Sequence, residues 1–341
     1  MPSRKSPALL WLSTFLLGFA VVCVLLVITL FTPRPYGDLT RLGRVSDAQF
    51  GWRKPPPQVP PDLLLGSPID QADILVIGDS FSMTHRWQSV LAKHGYRVAT
   101  TFWGQYADEL CADFDDWLQR GGFNGKLVIL ESVERLTAER VEKSAKCKAT
   151  PNRLEAKRDV FLAPLEHLPT FEFNTGAPLT NGWVTYRNTR RAMETPGDVP
   201  VDYRTKAREV KDGCKYFSNR LCDKVLFFTE DDDNGPLTAR HAQLMEDFNR
   251  AHKSVPLLWM IIPNKTTTYI DPANSADFVQ ALRQKQLGPD LFAFTQRERG
   301  RIMDFYFPND THLSMHGQLA LGDYMLGEVQ KLVAAPVGKT P

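Results

Sequence analysis

No charged residue interrupts the chain from Ala8 to Phe31, a run reading ALLWLSTFLLGFAVVCVLLVITLF. At a helical rise of ~1.5 Å per residue, these roughly 24 residues reach ~36 Å, enough to cross a ~30 Å hydrocarbon layer with some tilt. A cleaved leader has a shorter apolar region, ~7–15 residues, that ends at a small-residue site. Here the run gives way to Thr32-Pro33-Arg34-Pro35 with no A-x-A pattern, so residues 8–31 read as an uncleaved membrane anchor. No other segment is apolar for as long, which excludes a multi-span protein. Positive charge is nearly level across the span, with Arg4 and Lys5 before it and Arg34, Arg41 and Arg44 after it. Residues 1–7 are too few to form a domain. They are therefore placed in the cytoplasm and the rest of the chain outside.

Lys and Arg total 41 against 39 Asp and Glu, a net charge of +2. This balance lacks the basic footprint of a nucleic-acid binder, so no nucleic-acid partner is expected. Cys23 lies in the anchor, and Cys111, Cys147, Cys214 and Cys222 lie beyond it. Cys214 and Cys222 flank a short basic-aromatic loop. They read either as a small disulfide ring in an oxidising compartment or as two buried thiols. The chain has no C-x-x-C or H-E-x-x-H pattern, so no zinc site is expected. The acidic run Glu230-Asp231-Asp232-Asp233 lacks the spacing of a calcium loop and reads as an exposed turn.

Residues 32–68 contain the Pro-rich stretch Lys54 to Pro61 and read as a stalk, with Phe50 and Trp52 packed on the domain. The folded part, 69–335, opens with the apolar run Asp73 to Ile77, a strand that stops at Gly78-Asp79-Ser80-Phe81-Ser82. A helix bearing Trp87, Val90 and Leu91 follows, then a strand at Tyr96–Ala99, a helix at Leu110–Leu118 and a strand at Lys126–Leu130. A polar insertion without sustained periodicity occupies about 138–222. The alternation resumes with strands at Val225–Phe228 and Pro256–Ile262, helices near 238–253 and 276–286, a last strand at Leu291–Phe294, and a C-terminal helix over 314–333. Apolar strands alternating with helices predict an α/β fold of three layers around a mostly parallel central sheet.

In such a sheet, ligands bind beyond the carboxyl ends of the strands, and Ser80 stands at such an end. A serine on a tight strand-to-helix turn holds its hydroxyl in the open but needs a nearby base to become a nucleophile. Gly, Asp and Ser are equally ordinary turn and capping residues. Near the C-terminus, Asp310 and His312 are two apart, so the carboxylate is able to orient the imidazole. The plainer alternative is an Asp turn before a helix capped by Ser314, with His316 an ordinary surface residue.

Together, strand-Gly-Asp-Ser at the start and Asp-x-His before the last helix resemble the SGNH (GDSL-type) hydrolase superfamily. The resemblance implies Ser80 as nucleophile, His312 as base and Asp310 as its orienting acid. Gly104, in Phe102-Trp103-Gly104, is then an oxyanion N–H donor. The Asn donor of the family's third block is replaced by Glu131-Ser132-Val133-Glu134-Arg135, and the nearby Asn124 precedes the strand. With Ile262 to Tyr269, these blocks resemble the alginate O-acetyltransferase (AlgX/AlgJ-like) group, membrane-anchored or periplasmic proteins that acetylate exopolysaccharides. In that group Asp-x-His precedes the Ser, whereas here Ser comes first, as in ordinary SGNH proteins. The resemblance implies an O-acetyltransferase acting through an acetyl-serine. It implies an inner-membrane protein with its catalytic domain in the periplasm, a glycan acceptor, a multi-span membrane acyltransferase that supplies acetyl groups, and no cofactor. The alternatives are an SGNH esterase and an inactive glycan-binding assembly subunit. Asp79, Arg135, Lys265 and Tyr269 are candidates to line the oxyanion or substrate region; Arg135 with Glu134 reads alternatively as a solvated helix start, and Lys265 and Tyr269, which follow a strand end, read equally as structural. Trp103 reads as an acyl-pocket wall or core. Trp183, Tyr186 and Phe173 read as sugar-stacking residues or as anchors of the insertion.

Overall fold

The computed structural model describes residues 6–103, 108–157 and 168–334. It begins with one helix, Pro7–Leu30, long and apolar enough to cross a membrane. Seven strands follow among the described residues: β1 (Ile74–Gly78), β2 (Val98–Phe102), β3 (Leu127–Val133), β4 (Val199–Pro200), β5 (Thr205–Glu209), β6 (Lys224–Phe228) and β7 (Leu257–Ile262). β1, β2, β3 and β7 form a parallel sheet in the order β2-β1-β3-β7.

Side chains of a strand point alternately to opposite faces, and here that alternation sorts them into two cores. Ile74, Val76, Leu127, Ile129 and Met260 pack with Trp87, which precedes the helix Gln88–Lys93, with Leu91 of that helix, and with Leu321 and Met325 of Met315–Leu332. Leu75, Ile77, Val128, Leu130 and Trp259 pack with Phe114, Met245 and Phe278 from Phe114–Arg120, Ala239–Ala251 and Ala276–Gln284. Helices thus cover both faces, which is why these strands are buried along nearly their whole length and mostly apolar. The Ser314 hydroxyl starts the last helix by accepting the Gly317 N–H.

Two expectations change. Val225–Phe228 lies within β6, but this strand belongs to a separate antiparallel sheet, β4-β5-β6. Its partners come from the expected irregular insertion, which also contributes the helix Asn181–Glu194. Leu291–Phe294 is helical, within Leu291–Glu298, because Asp290 Oδ1 accepts the Ala293 N–H at 2.9 Å and caps it. Within residues 32–68, the short helices Asp38–Gly43 and Asp47–Phe50 bury Leu39 and Phe50 against Ala207 and Leu226 of the second sheet. Trp52 packs at a tilt against Phe307 with ring centroids 4.6 Å apart, and the Pro55 carbonyl lies 3.0 Å from His316 Nε2.

Disulfides join Cys214 to Cys222 and Cys111 to Cys147. The second pairing closes a loop across 36 positions that spacing alone does not point to.

Candidate active site

The turn that displays Ser80 is fastened from beneath by the end of β3. Glu131 Oε2 accepts the Asp79 N–H and the Ser82 hydroxyl, each at 2.8 Å. Trp87 Nε1 donates to the same Ser82 oxygen at 3.1 Å. Asp79 turns away from the opening and is 3% exposed. Its carboxylate accepts the Phe81 N–H at 3.1 Å, the Val133 N–H at 2.8 Å and Arg140 Nη1 at 2.8 Å. Gly78 is required here for space, since a Cβ would stand 2.5 Å from Glu131 Oε2.

The Arg140 guanidinium bonds one of these two buried carboxyls, Asp79, and its charge also acts on Glu131. Burial opposes the charge of Asp79, but Arg140 and the Val133 N–H outweigh it and hold the carboxyl below its usual range. Burial and then the charge of Asp79 push Glu131 well above its usual range. The two carboxyls are thus pushed in opposite directions, as expected when neighbouring buried acids compete for a single cation.

The other half of the site is the loop before the last helix, entered through the antiparallel bridge Tyr306↔Leu313. His312 Nε2 lies 2.8 Å from Ser80 Oγ across 232 positions of chain, and Nδ1 lies 2.6 Å from Asp310 Oδ1. With Nδ1 protonated toward Asp310, Nε2 is free to accept the Ser80 hydroxyl proton. Phe81 packs beside the imidazole, centroid to centroid 4.8 Å. Burial opposes the imidazolium, but Asp310 and then Asp38 outweigh it, so the His312 pKa is raised above the usual 6.5. Asp310 is held far below the usual carboxylate range, with His312 the main force overcoming burial.

Asp38, from the segment that follows the long N-terminal helix, completes this cluster and is not signalled by any sequence pattern. Its N–H donates to Asp310 Oδ2 at 2.9 Å. Its carboxylate accepts the Thr311 N–H at 2.9 Å and the Thr311 hydroxyl at 2.6 Å. Oδ2 stands 3.6 Å from His312 Nδ1. Burial, then the neighbouring Asp310 charge, raises Asp38 to about 6.

Lys265 and Tyr269 do not line an opening. Lys265 is 1% exposed, and its Nζ donates to the carbonyls of Leu226 (2.7 Å), Phe307 (2.6 Å), Pro308 (3.0 Å) and Asp310 (3.3 Å). It ties the histidine loop to the second sheet, and burial lowers its pKa to about 7. Tyr269 is core, 4.6 Å from the Phe217 ring. Arg135 pairs with buried Asp231 at 3.2 Å and lies over the Phe228 ring. Asp231 belongs to the acidic run read as exposed, yet it is 5% exposed. Trp103 is fully buried, its indole N–H bonded to the Glu131 carbonyl. Trp183, Tyr186 and Phe173 sit at the end of the long N-terminal helix.

Gly104 lies outside the described residues. Among the described residues the Ser80 N–H meets no acceptor, which leaves it available to an oxyanion. Asp38, Asp310 and His312 bring three possible metal-ligand atoms within 4.8 Å of one another. Nδ1 is already engaged by Asp310 and the Asp38 carboxylate by Thr311, so a metal there displaces the bond that orients the histidine. The arrangement is suited to activating a serine hydroxyl for acyl transfer. Comparison with known proteins finds no matching protein-family model, no matching curated protein and no matching solved structure.

Proposed function

We propose that this chain is a membrane-anchored serine O-acyltransferase of SGNH type that moves acetyl groups onto hydroxyls of a cell-envelope or extracellular glycan. The observation that carries the reading is the unbroken relay Ser80–His312–Asp310 beyond the carboxyl end of β1. In the first step His312 Nε2 takes the Ser80 proton while Oγ attacks the acetyl carbonyl. The Ser80 N–H faces the oxyanion, and a donor of this kind is worth ~3–4 kcal/mol in comparable enzymes. The imidazolium passes its proton to the leaving group, leaving acetyl-Ser80. A sugar hydroxyl then attacks, His312 takes its proton and returns it to Ser80. Acetyl donors reach this side of the membrane through a multi-span acyltransferase partner, beside which the N-terminal helix holds the domain at the inner membrane, facing the periplasm.

The order of Ser before Asp-x-His favours a second reading, hydrolysis of acyl esters by the same residues. The full chain, incubated with a chromogenic acetyl ester with and without neutral oligosaccharides, separates the two. Transfer predicts acetylated oligosaccharide exceeding free acetate. Hydrolysis unaffected by any glycan favours the esterase.

Asp38 offers a pH test. A base must be neutral, so kcat/KM rises as pH climbs through the His312 pKa, which lies above 6.5. Asp38→Asn removes a charge that stabilises the imidazolium, so the acid limb moves to lower pH. The same change loosens the Asp310 loop and lowers the pH-independent rate by roughly tenfold, because a misplacement near ~1 Å costs up to ~100-fold. An acid limb that stays in place contradicts the coupling.

A further inference from the structure

Four arginines line one cleft of about 840 Å³ between the segment after the anchor and the helix Asn181–Glu194: Arg41, Arg44, Arg187 and Arg191. Among the described residues none of the four is in a salt bridge. The one carboxylate in the lining, Asp202, turns Oδ1 to the N–H groups of Arg204 and Thr205. Arg187 and Arg191 are one helical turn apart and so project side by side. Arg44 holds a left-handed backbone, φ 47°, where a non-glycine residue is uncommon.

This helix is locked to the outer end of the membrane-spanning helix. Thr29 Oγ1 donates to the Leu179 carbonyl at 2.6 Å and accepts the Gly182 N–H at 3.1 Å. Gly182 permits the approach, since a Cβ would stand 2.7 Å from the Ile28 and Thr29 backbone. On its other flank lies a second, largely apolar cleft of about 870 Å³ that Ile28, Phe31, Trp183 and Tyr186 help to line. Trp183 and Tyr186 are about half exposed, as are Phe31 and Phe173, whose rings meet edge to face at 5.4 Å. A soluble surface does not ordinarily keep such aromatic area uncovered beside unneutralised arginines. Aromatic rings and cationic side chains together are the composition of a membrane–water boundary.

We propose that the arginine cleft binds the phosphate of an anionic phospholipid headgroup, with the aromatic flank seated among the neighbouring lipids. The assignment to lipid rests on the reading of Pro7–Leu30 as a membrane anchor, because the helix carrying two of the arginines packs directly on that anchor's last turn. Through the Arg41–Arg44 stretch the same contact reaches Asp38, so the headgroup also fixes how the catalytic domain stands on the bilayer.

The test uses the full chain in neutral detergent, titrated with dioctanoyl-phosphatidylglycerol, dioctanoyl-phosphatidylcholine or sodium phosphate and read by native mass spectrometry. The wild type is expected to retain phosphatidylglycerol roughly tenfold more tightly than phosphatidylcholine. Arg187→Gln with Arg191→Gln is expected to abolish that preference at unchanged Tm, both side chains being exposed. Equal retention of the two lipids by the wild type, or an unchanged preference in the double variant, overturns the site. Displacement of the lipid by equimolar phosphate assigns a free-anion site and overturns the headgroup assignment. So does selective binding of an oligogalacturonate in place of either lipid. Alkaline carbonate extraction of membranes reads the anchor separately. A chain released by carbonate fails the anchor reading whatever its lipid preference, whereas a retained chain without preference fails the headgroup site alone.

Discussion

Ser80→Ala is expected to lower turnover of an activated acetyl ester by roughly 10³–10⁶-fold while leaving the Tm of the chain nearly unchanged. The activity loss follows from removing the oxygen that lies 2.8 Å from His312 Nε2. The stability is kept because the Ser80 hydroxyl makes that single bond, while the turn itself is held by Asp79 and Ser82 on Glu131. Groups that act as a unit are not additive, so Ser80→Ala with His312→Ala is expected to be no slower than either change alone. Asp310→Asn belongs to the same series, at a loss of roughly 10⁴-fold, because an amide no longer holds the imidazole in the useful tautomer. Wild-type chain quenched during turnover is expected to carry one acetyl group on the peptide containing Ser80. Turnover by Ser80→Ala at the wild-type rate ends the proposed chemistry.

Arg140→Met is expected to cost about 3–5 kcal/mol of folding stability, the range for removing one partner of a buried ion pair. At roughly 2 °C per kcal/mol for a domain of this size, Tm falls by roughly 6–10 °C. The guanidinium is 3% exposed, lies 2.8 Å from Asp79 Oδ2 and stacks 5.1 Å from the Trp103 ring centroid. Its loss leaves Asp79 charged and buried beside a second acid. The sign with pH follows. Asp79 has its carboxyl lowered in the folded protein, so its contribution is present above the unfolded pKa and lost as pH falls through the folded one. Without Arg140 the folded value rises, and the variant gains relative to wild type toward acid pH, where the carboxylate is neutral in both. Asp79→Asn in the Arg140→Met background is expected to recover part of the loss. A variant with wild-type Tm, measured calorimetrically near pH 7, shows that the cation is not what keeps these acids in the core.

Much of this site was legible in local sequence. The apolar run ending at Gly78-Asp79-Ser80 marks a strand followed by a turn, because β-branched residues fit a buried strand and small polar ones end it. Asp310 and His312 are close enough in the chain to bond whatever the rest of the molecule does. The uncharged run Ala8 to Phe31 demands a helix by itself. Other features were not local. A short apolar stretch is buried equally well in a central parallel sheet, an antiparallel sheet or a helix. The partners of Val225–Phe228 and the Asp290 cap before Leu291 settled those two cases.

The roles of charged residues were the least readable. Glu131 stands in an otherwise apolar strand, a mark of something unusual, but that it supports the serine turn depends on Asp79 N–H and Ser82 lying above it. Lys265 follows a strand end, where ligand-facing residues are common, and is instead turned onto four backbone carbonyls. Asp38 reaches Asp310 across 272 positions of chain. Sequence alone thus determined the long apolar helix, the strand-turn serine and the acid–histidine pair, because each is a matter of composition or spacing within a few residues. Only the tertiary structure decided that serine and imidazole meet and which buried charges hold them there. Those contacts exist only after the sheet has closed, and the energy of a charge is set by what it is buried against.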